Sequence, residues 1–359
     1  MKKIINALNA NPMFHMSLAS KELFHSNFLY WLWKLDASKF LTLLDKLSGG
    51  EDSFLHLDLS TIEVKREYQH FDLCVLEKGT NNVLLVIENK VKSIPYVEQL
   101  NEYTGKLDGD CKKVLLTLMQ DFPDRENVRN DNWNIIDYNL LATRIKECFS
   151  SITGAEKIFI DHYLKFIEQL NGLVKEWLDD YNNRKLVLLN EDIHNAAYEL
   201  RLHDLYGKLY YSRMACEINK ILSDKGLLNG WGTQRDKKIS AKAEYTMVQP
   251  MITIAIPEVY NDAEFCIQIQ GNHYRHAIAR PNAKFEDVKN EFEQYKDVCD
   301  FWWPEKYTKK FTHFGGFIYK YWKLKRKVAK NQFEETNIDE LKTHIIEDLT
   351  NLKEQISKW

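Results

Sequence analysis

The sequence predicts an α/β protein, in which helices and strands alternate along most of the chain. Residues 83–87 and 113–119 are continuous apolar runs of strand length, as in strands that are buried on both faces of a sheet. Residues 17–46 carry an apolar stripe with helical spacing. Residues 251–256 and 265–270 are rich in β-branched side chains, which favours further strands.

The first part of the chain is predicted to form a sheet with helices around it. Residues 17–46 form one or two helices, with Ser20 as a plausible N-cap. The following elements are expected in order: strands at about 57–68, 68–77 and 83–91, a helix at 95–106, a strand at 113–119, a loop at 123–132, a strand at 133–138 and a helix at 139–149.

The middle of the chain is predicted to be helical and to give way to strands. Long helical patterns cover residues 155–183 and 190–224, and the polar residues 182–185 break them. Residues 228–280 then switch to strand character, with turn signals at 261–262 and 271–272. The change of pattern near residue 228 indicates a new structural region.

Helices return near the end of the chain, at about 284–299 and 336–357. We therefore predict three regions: 1–150 as the first α/β region, 151–227 as a helical connector, and 228–359 as an α+β region with a recognition or regulatory role. A chain of 359 residues is long enough for two or three such regions, each with its own core.

The composition limits the partners that the chain can have. A hydrophobic content of 44% and a charged content of 28% are ordinary for globular proteins. The net charge of −3 means that any nucleic-acid site has to be a local basic patch. Six cysteines are scattered singly with no CxxC pair, which predicts free thiols in a reducing cytoplasm. No signal peptide or membrane-spanning run is predicted.

Two carboxylates and one ammonium are predicted to meet at a hairpin. Residues 78–82 supply the turn, and an antiparallel hairpin centred on Thr80 places Asp72 across from Glu88. Opposed residues on one face have Cβ atoms about 4.5–5.5 Å apart. Side chains repeat every second residue along a strand, so Glu88 and Lys90 share a face.

This cluster suits metal-dependent hydrolysis of a phosphodiester. Two carboxylates can hold Mg²⁺, or Mn²⁺ in its place, because hard cations prefer oxygen ligands. Lys90 can orient or deprotonate a water, or stabilise the transition state as a point charge. The alternative is an ion-pair cluster at the sheet rim. Facing carboxylates repel unless a cation lies between them, and in this alternative Lys90 is that cation.

The spacing Asp72-(x15)-Glu88-Asn89-Lys90 resembles the signature of the PD-(D/E)XK nuclease superfamily. In that signature an acidic residue on one strand precedes Glu-x-Lys on the next strand. Phe71 stands where the strict form of the signature has proline, a departure that the superfamily tolerates.

Two flanking segments extend the resemblance. Residues 22–32 look like the first helix of such folds, and Gln99 to Tyr103 look like the helix that follows the signature. Gln99 and Tyr103 also share a helix face, because they are four residues apart. The ordered set resembles a bacterial subgroup of PD-(D/E)XK nuclease-like proteins and covers about residues 10–140.

The resemblance implies a restriction-endonuclease-like αβββαβ core in residues 1–150, together with a set of site residues. The implied metal ligands are Asp72, Glu88 and the backbone carbonyl of Asn89, and the other implied catalytic-site residues are Lys90, Glu22, Gln99 and Tyr103. For Glu22 the alternative is an acid that merely favours the start of a helix. His25 follows on the same helix, and we expect a core or intrahelical role for it.

Residues 306–330 form a local basic stretch, with nine Lys or Arg and no acidic residue. Aromatic residues lie between the cations, a combination that binds phosphates and stacks on bases. The alternative is that the aromatics belong to a core and the lysines to a solvated face. For residues 273–276 we expect a core or surface role rather than a metal site. The candidate nucleic-acid contacts are Lys309, Lys310, Lys320, Lys323, Lys325, Arg326 and Lys327.

The leading hypothesis is a Mg²⁺-dependent nuclease that acts in restriction, repair or phage defence. The resemblance favours DNA over RNA as its substrate, and a homodimer would let two sites cut both strands. A second hypothesis is a catalytically weak, nuclease-like module that binds nucleic acid or protein. A third takes the region after residue 228 as a sensor that gates the nuclease.

Overall fold

The computed structural model describes most of the chain, and its residues fall into two compact units. The described residues are 1–18, 21–50, 53–105, 107, 110–232, 235–246, 249–260, 263–280, 283–284, 290, 293, 300–303, 306–314, 316–330 and 332–358. Unit 1 comprises residues 1–179 and 195–209, and unit 2 comprises residues 180–194 and 210–359. The predicted division into three regions stays a prediction.

Unit 1 begins with helices α1 (Lys2–Asn9), α2 (Pro12–Ser17), α3 (Lys21–Leu35) and α4 (Ala37–Ser48). The predicted helical segment 17–46 is thus two helices. They separate at Asp36, whose side chain accepts the Lys39 backbone N–H at 3.0 Å and so caps α4. The sequence patterns did not indicate α1 and α2, which are only eight and six residues long. The predicted cap Ser20 lies outside the described residues.

The sheet of unit 1 has five strands in the order β1-β2-β3-β4-β5. They are β1 (Ile62–Tyr68), β2 (Phe71–Glu77), β3 (Val83–Lys90), β4 (Lys112–Thr117) and β5 (Trp133–Asp137). The first three strands pair antiparallel, whereas β3, β4 and β5 run parallel. β3 is central and almost wholly buried, as its continuous apolar run predicts.

Helices follow the parallel strands of this sheet. They are α5 (Val97–Thr104), α6 (Arg125–Asn130) and α7 (Tyr138–Cys148). The carboxylate of Asp137 accepts the Leu140 N–H at 2.8 Å, so the last residue of β5 also caps α7. α6 lies in the segment that was predicted to be a loop. The sequence did not indicate this helix, because six residues are too few to show a helical period.

The β1–β2 connection differs from the prediction. The chain turns at Gln69 and His70, which both have positive φ, at 51° and 75°. Glycine or asparagine normally occupies such positions, so the sequence carries no clear sign of this turn. β1 also begins at Ile62 and not near residue 57, since turns occupy the preceding residues.

Three helices follow α7: α8 (Gly154–Arg184), α9 (Glu191–Glu199) and α10 (His203–Asp224). The predicted single helix over residues 190–224 is wrong, because the chain breaks between α9 and α10. Arg201 there has a positive φ of 53°, and the Leu202 N–H donates to the Ala197 carbonyl at 2.8 Å. This closes the end of α9 without a glycine.

Unit 2 contains a six-stranded antiparallel sheet in the order β12-β13-β11-β10-β9-β8. Its strands are β8 (Ala241–Tyr245), β9 (Pro250–Tyr260), β10 (Ala263–Gln270), β11 (His273–Ala279), β12 (Thr312–Phe314) and β13 (Phe317–Lys323). Two ribbons accompany it: β6 (Asn229–Trp231) with β7 (Lys237–Lys238), and β14 (Lys325–Ala329) with β15 (Gln332–Glu335). The predicted strand character of residues 228–280 is confirmed. The helix predicted at 284–299 lies largely outside the described residues.

The last helix, α11 (Ile338–Ile356), packs against this sheet through a buried polar cluster. A capping box at Asn337 starts the helix. The Asp348 carboxylate on α11 accepts from the Tyr274 hydroxyl at 2.9 Å and lies 3.0 Å from His276 Nε2. Burial would raise the pKa of Asp348, but the His276 hydrogen bond and charge outweigh burial and lower it. His276 is a core residue, as expected.

The mixed α/β class that the sequence predicts is confirmed. Helices and strands alternate in unit 1, and unit 2 combines an antiparallel sheet with a long helix. Among the described residues, no helix is both long and apolar enough to cross a bilayer.

Candidate active site

The β2–β3 hairpin has the register that the sequence predicts at its open end. Leu73 pairs with Ile87, so the next residues outward, Asp72 and Glu88, face each other. The backbone N–H of Asn89 donates to Asp72 Oδ2 at 2.6 Å, which ties the start of β2 to the end of β3. The structure therefore brings the two predicted carboxylates together.

Lys90 and Glu88 form a buried ion pair on one face of β3. Lys90 Nζ lies 2.8 Å from Glu88 Oε1, and the two residues are only 6% and 4% exposed. The second oxygen of Glu88, Oε2, is buried and has no hydrogen-bond partner among the described residues. A buried carboxylate oxygen without a donor is costly, and a bound cation would remove that cost.

The side chain of Asn89 is on the opposite face of β3, away from this pair. Its Nδ2 donates to Ser26 Oγ at 2.6 Å, and the Tyr138 hydroxyl donates to its Oδ1 at 3.2 Å. Ser26 Oγ in turn donates to the Glu22 backbone carbonyl at 3.1 Å. These bonds fix the end of β3 between α3 and α7. Ser26 belongs to the first-helix segment of the resemblance but received no role from the sequence, and Tyr138 was not identified as a site residue.

Glu22 lies in the first turn of α3 and reaches the same cluster. Its Oε1 accepts the Ser93 hydroxyl at 2.8 Å, just beyond the end of β3. Its charge raises the pKa of both Asp72 and Glu88, so it is within electrostatic range of the pair. His25 lies three residues after Glu22 on α3. It is buried and forms a hydrogen bond with Tyr163 at 2.8 Å, which confirms its expected core role.

The two carboxylates are electrostatically unfavourable in the metal-free protein, even with the Lys90 ammonium beside Glu88. Burial, followed by the neighbouring Glu88 charge, raises the pKa of Asp72 to about 7, although the Asn89 N–H opposes the shift. Burial also raises the pKa of Glu88, against the lowering effect of Lys90. A divalent cation between the carboxylates would offset both costs.

Lys90 is held as an ammonium in this arrangement. Burial alone would lower the pKa of Lys90, but the charge and hydrogen bond of Glu88 outweigh it. The charges of Glu22 and Asp72 add to this effect, and the net pKa is above the ordinary value. A protonated Lys90 can act as a point charge and as a hydrogen-bond donor. These two roles fit the ammonium better than the role of a base that deprotonates a water.

Gln99 and Tyr103 lie together on α5, beside the first residues of β2. Gln99 Nε2 donates to the Tyr103 hydroxyl at 2.9 Å. The Tyr103 ring stacks on His70 at 5.7 Å and meets Phe71 edge-on at 5.8 Å. Phe71 directly precedes Asp72, so the α5 pair supports this end of β2. Among the described residues, no hydrogen bond or ring contact joins Gln99 or Tyr103 directly to the carboxylates.

Lys92, just after β3, meets residues of unit 1 that lie far along the chain. Lys92 Nζ lies 2.7 Å from Asp204 Oδ1 and donates to the Arg201 carbonyl at 3.3 Å. Lys208 Nζ is 3.9 Å from Asp204 Oδ2. Burial lowers the pKa of Lys208, while Asp204 and Glu22 oppose that shift. Sequence reasoning missed these residues, because no local pattern links residues 201–208 to β3.

The basic-aromatic stretch lies in unit 2, on β13, β14 and the segment before β12. Arg326 pairs with Glu334 at 2.7 Å, and Lys325 lies 3.9 Å from Glu335. Lys320 lies over the Phe311 ring at 4.5 Å. The four remaining candidates are exposed: Lys309, Lys310, Lys323 and Lys327. Two of the seven predicted cations are thus partly neutralised by acids.

The donor set around β3 fits a hard cation that retains water ligands. Asp72 and Glu88 supply carboxylate oxygens, and Glu88 Oε2 has no other described partner. In the described part of the chain, no group of three or more His, Cys, Asp or Glu side chains is arranged to hold a metal ion. Mg²⁺ is bound through one or two carboxylates in many sites, so two ligands are sufficient for it.

We expect Tyr138→Phe to lower the free energy of unfolding by about 1 kcal/mol, because it removes the donor to Asn89 inside the protein. Equilibrium urea unfolding measures this change. Tyr198→Phe is the matched control, since Tyr198 is 64% exposed. Equal effects of the two variants would contradict a stabilising role for the Tyr138 hydrogen bond.

Residues 11–165 match the family model of the PD-(D/E)XK nuclease superfamily. The matched range includes α3, the whole five-stranded sheet, α5 and α7, and therefore every site residue described from Glu22 to Tyr138. No match was found among the curated proteins or among the solved structures.

Proposed function

We propose, from the match of residues 11–165 to the family model of the PD-(D/E)XK nuclease superfamily, that this protein is a metal-dependent nuclease that hydrolyses phosphodiester bonds. We propose DNA as its substrate in preference to RNA, and a role in restriction, repair or phage defence. The observation that carries the proposal is the arrangement of Asp72, Glu88 and Lys90 at the end of β3.

The proposed metal ligands are Asp72, Glu88 and the Asn89 backbone carbonyl, with Mg²⁺ as the ion and Mn²⁺ as its substitute. The ion would polarise the phosphoryl group and lower the pKa of an attacking water. The unpartnered Glu88 Oε2 and the raised pKa of Asp72 support a cation at this position.

The remaining residues are proposed to act as donors and positioning groups. The Lys90 ammonium donates a hydrogen bond to the phosphate that undergoes attack, and its positive charge stabilises that phosphate. The ion pair with Glu88 fixes the ammonium in place. The Glu22 carboxylate, which the Ser93 hydroxyl holds in place, accepts a hydrogen bond from the attacking water. Gln99 and Tyr103 support the β2 end that carries Asp72, as positioning residues.

We extend the proposal to the rest of the chain. The element order of unit 1 supports a restriction-endonuclease-like core, and the cations of residues 306–330 support a recognition role for the C-terminal region. The described cysteines are free thiols, which supports a cytoplasmic location. A homodimer would provide the two sites that a double-strand cut requires.

The test is incubation of the purified protein with circular and linear DNA and with RNA, in Mg²⁺, in Mn²⁺ and in EDTA. Metal-dependent cutting that is lost in Asp72→Asn would support the proposal, and the preferred polymer would give the substrate. We expect no cutting in EDTA, and slower cutting at acid pH, because protonated carboxyls do not bind metal.

One observation favours the second candidate function, a nuclease-like binding module with weak catalysis. The described residues offer two clustered carboxylates, and no group of three or more His, Cys, Asp or Glu side chains among them could hold a metal ion. Calorimetric titration with Mg²⁺ and Mn²⁺ separates the candidates. Binding that Asp72→Asn abolishes favours the enzyme, whereas absence of both binding and cutting favours the module.

A further inference from the structure

Unit 2 contains a cavity of about 560 Å³ that the proposed catalysis does not use. It lies between the segment before β12, the end of β13, the β14–β15 ribbon and the first half of α11. The volume is within the range of small-ligand sites in proteins. Its lining residues are Lys306, Tyr307, Thr308, Tyr321, Trp322, Lys323, Leu324, Arg326, Glu334, Thr336, Glu340 and His344.

The lining combines aromatic rings with cations. Lys306 Nζ lies 5.5 Å from the centre of the Trp322 ring and 5.8 Å from that of Tyr307. The His344 ring meets Trp322 edge-on at 5.4 Å. Aromatic faces stack on nucleobases, and nearby ammonium groups pair with phosphates.

The two acidic residues of the lining already have partners within unit 2. Glu334 accepts from both Nε and Nη2 of Arg326 at 2.7 Å. Glu340 closes the capping box of α11 and accepts the Asn337 N–H at 3.1 Å. Three cations of the lining, Lys306, Lys323 and Arg326, stand against these two carboxylates, so the cavity keeps an excess of one positive charge.

Two polar atoms of the lining add hydrogen-bonding capacity. The Tyr307 hydroxyl and the Trp322 indole Nε1 are buried and interact with each other, and neither makes a hydrogen bond of standard geometry among the described residues. Buried donors normally have well-aligned partners, so the polar edge of a base or a sugar hydroxyl would complete the hydrogen bonding that these two groups lack.

We infer that this cavity receives one nucleotide of a single-stranded nucleic acid, whose neighbouring phosphates lie along the exposed cations at the rim. Lys309 and Lys310 follow the lining residue Thr308, and Lys327 follows Arg326, all with exposed side chains. A free nucleotide would leave these rim cations unused, whereas a strand would engage them. The inference rests on the proposed nuclease function in one respect only, namely that the protein meets nucleic acid.

The test measures binding and cutting separately. The full-length protein is titrated in EDTA with a fluorescein-labelled single-stranded 12-mer DNA, and the anisotropy gives Kd at several salt concentrations. We expect the double variant Lys306→Ala/Lys323→Ala to weaken binding about tenfold or more and to reduce the salt slope by up to about 1.4. The matched control is Lys238→Ala/Lys284→Ala, which removes two exposed lysines that do not line the cavity.

A second pair of variants tests stacking. Trp322→Leu removes the ring, and we expect about a tenfold loss of affinity, whereas Trp322→Phe keeps a ring and binds within about threefold of wild type. Trp322 also packs on Tyr274 at 5.2 Å, so circular dichroism checks that both variants fold. If Trp322→Leu does not fold, the lysine pair still decides the question.

Three outcomes would overturn the inference. In the first, the lysine variant and its control bind the 12-mer equally. In the second, a nucleoside monophosphate competes as well as the 12-mer, which would identify a free-nucleotide site. In the third, a duplex of the same sequence competes equally. Binding without cutting in Mg²⁺ would refute the proposed nuclease alone, and cutting with unaltered binding by the lysine variant would refute this inference alone.

Discussion

Replacing Lys90 by alanine is expected to slow phosphodiester cleavage by about 10²–10³-fold, the effect of removing one preorganised charged donor from a buried site. Lys90 is the cation within 2.8 Å of Glu88, and it is almost wholly buried. Without it, Glu88 loses the interaction that lowers its pKa, so the carboxyl is more often protonated and binds a metal less well. Loss of one side chain therefore affects both the donor and a metal ligand.

Initial rates of cleavage in saturating Mg²⁺ measure the effect. Lys65→Ala is the matched control, because Lys65 lies on β1 of the same sheet and pairs with Glu63 at 2.7 Å in an exposed position. We expect the control to cut within about twofold of wild type. Cleavage by Lys90→Ala at the control rate would show that the site has been wrongly assigned.

Asp72→Asn is expected to stabilise the metal-free protein at neutral and alkaline pH, although it removes activity. The pKa of Asp72 is raised from 3.8 to about 7, chiefly by burial and by Glu88. Above that pH the folded protein contains an ionised, buried carboxylate that repels its neighbours. By the usual conversion of pKa shifts, its removal stabilises the fold by roughly 2–4 kcal/mol.

The sign of the pH dependence follows from proton binding. Between pH 3.8 and about 7, the folded state keeps a proton on Asp72 that the unfolded chain has released. The stability that Asp72 contributes is therefore greatest at low pH and falls as the pH rises through this range. Metal binding acts in the opposite direction at high pH, because the ionised carboxylates are its ligands.

Thermal melts in EDTA at pH 5 and pH 8 test this expectation. The wild type should lose stability between the two pH values, and Asp72→Asn should lose less. Addition of Mg²⁺ at pH 8 should raise the melting temperature of the wild type only. Asp58→Asn is the control, since Asp58 is exposed and its backbone hydrogen bonds lower its pKa. An identical pH response of wild type and Asp72→Asn would contradict the assignment.

The sequence was sufficient to identify the core of the candidate site, because that core depends on two local rules. The hairpin register places Asp72 opposite Glu88, and strand alternation places Glu88 and Lys90 on one face. The apolar run over residues 83–87 of β3 was also predictable, since a central strand is covered on both faces along most of its length.

The remainder of the site depends on contacts between residues that are distant in the sequence. Tyr138 reaches Asn89 from α7, and the charge of Glu22 acts on Lys208 of α10. No periodicity connects such positions, so only the folded chain reveals them. The turn at Gln69 and His70 was missed for another reason, because both residues adopt positive φ without the glycine that usually marks it.

The opposite orientations of Asn89 and Lys90 on β3 suggest a way to identify the natural substrate. Asn89 anchors the strand through Ser26 and Tyr138, and Lys90 contributes nothing to that anchor. A Lys90→Ala protein should therefore stay folded and keep its recognition surfaces while it no longer cuts. If such a protein is crosslinked inside cells, it would retain the nucleic acid that it binds. Sequencing of that nucleic acid would then identify the target directly.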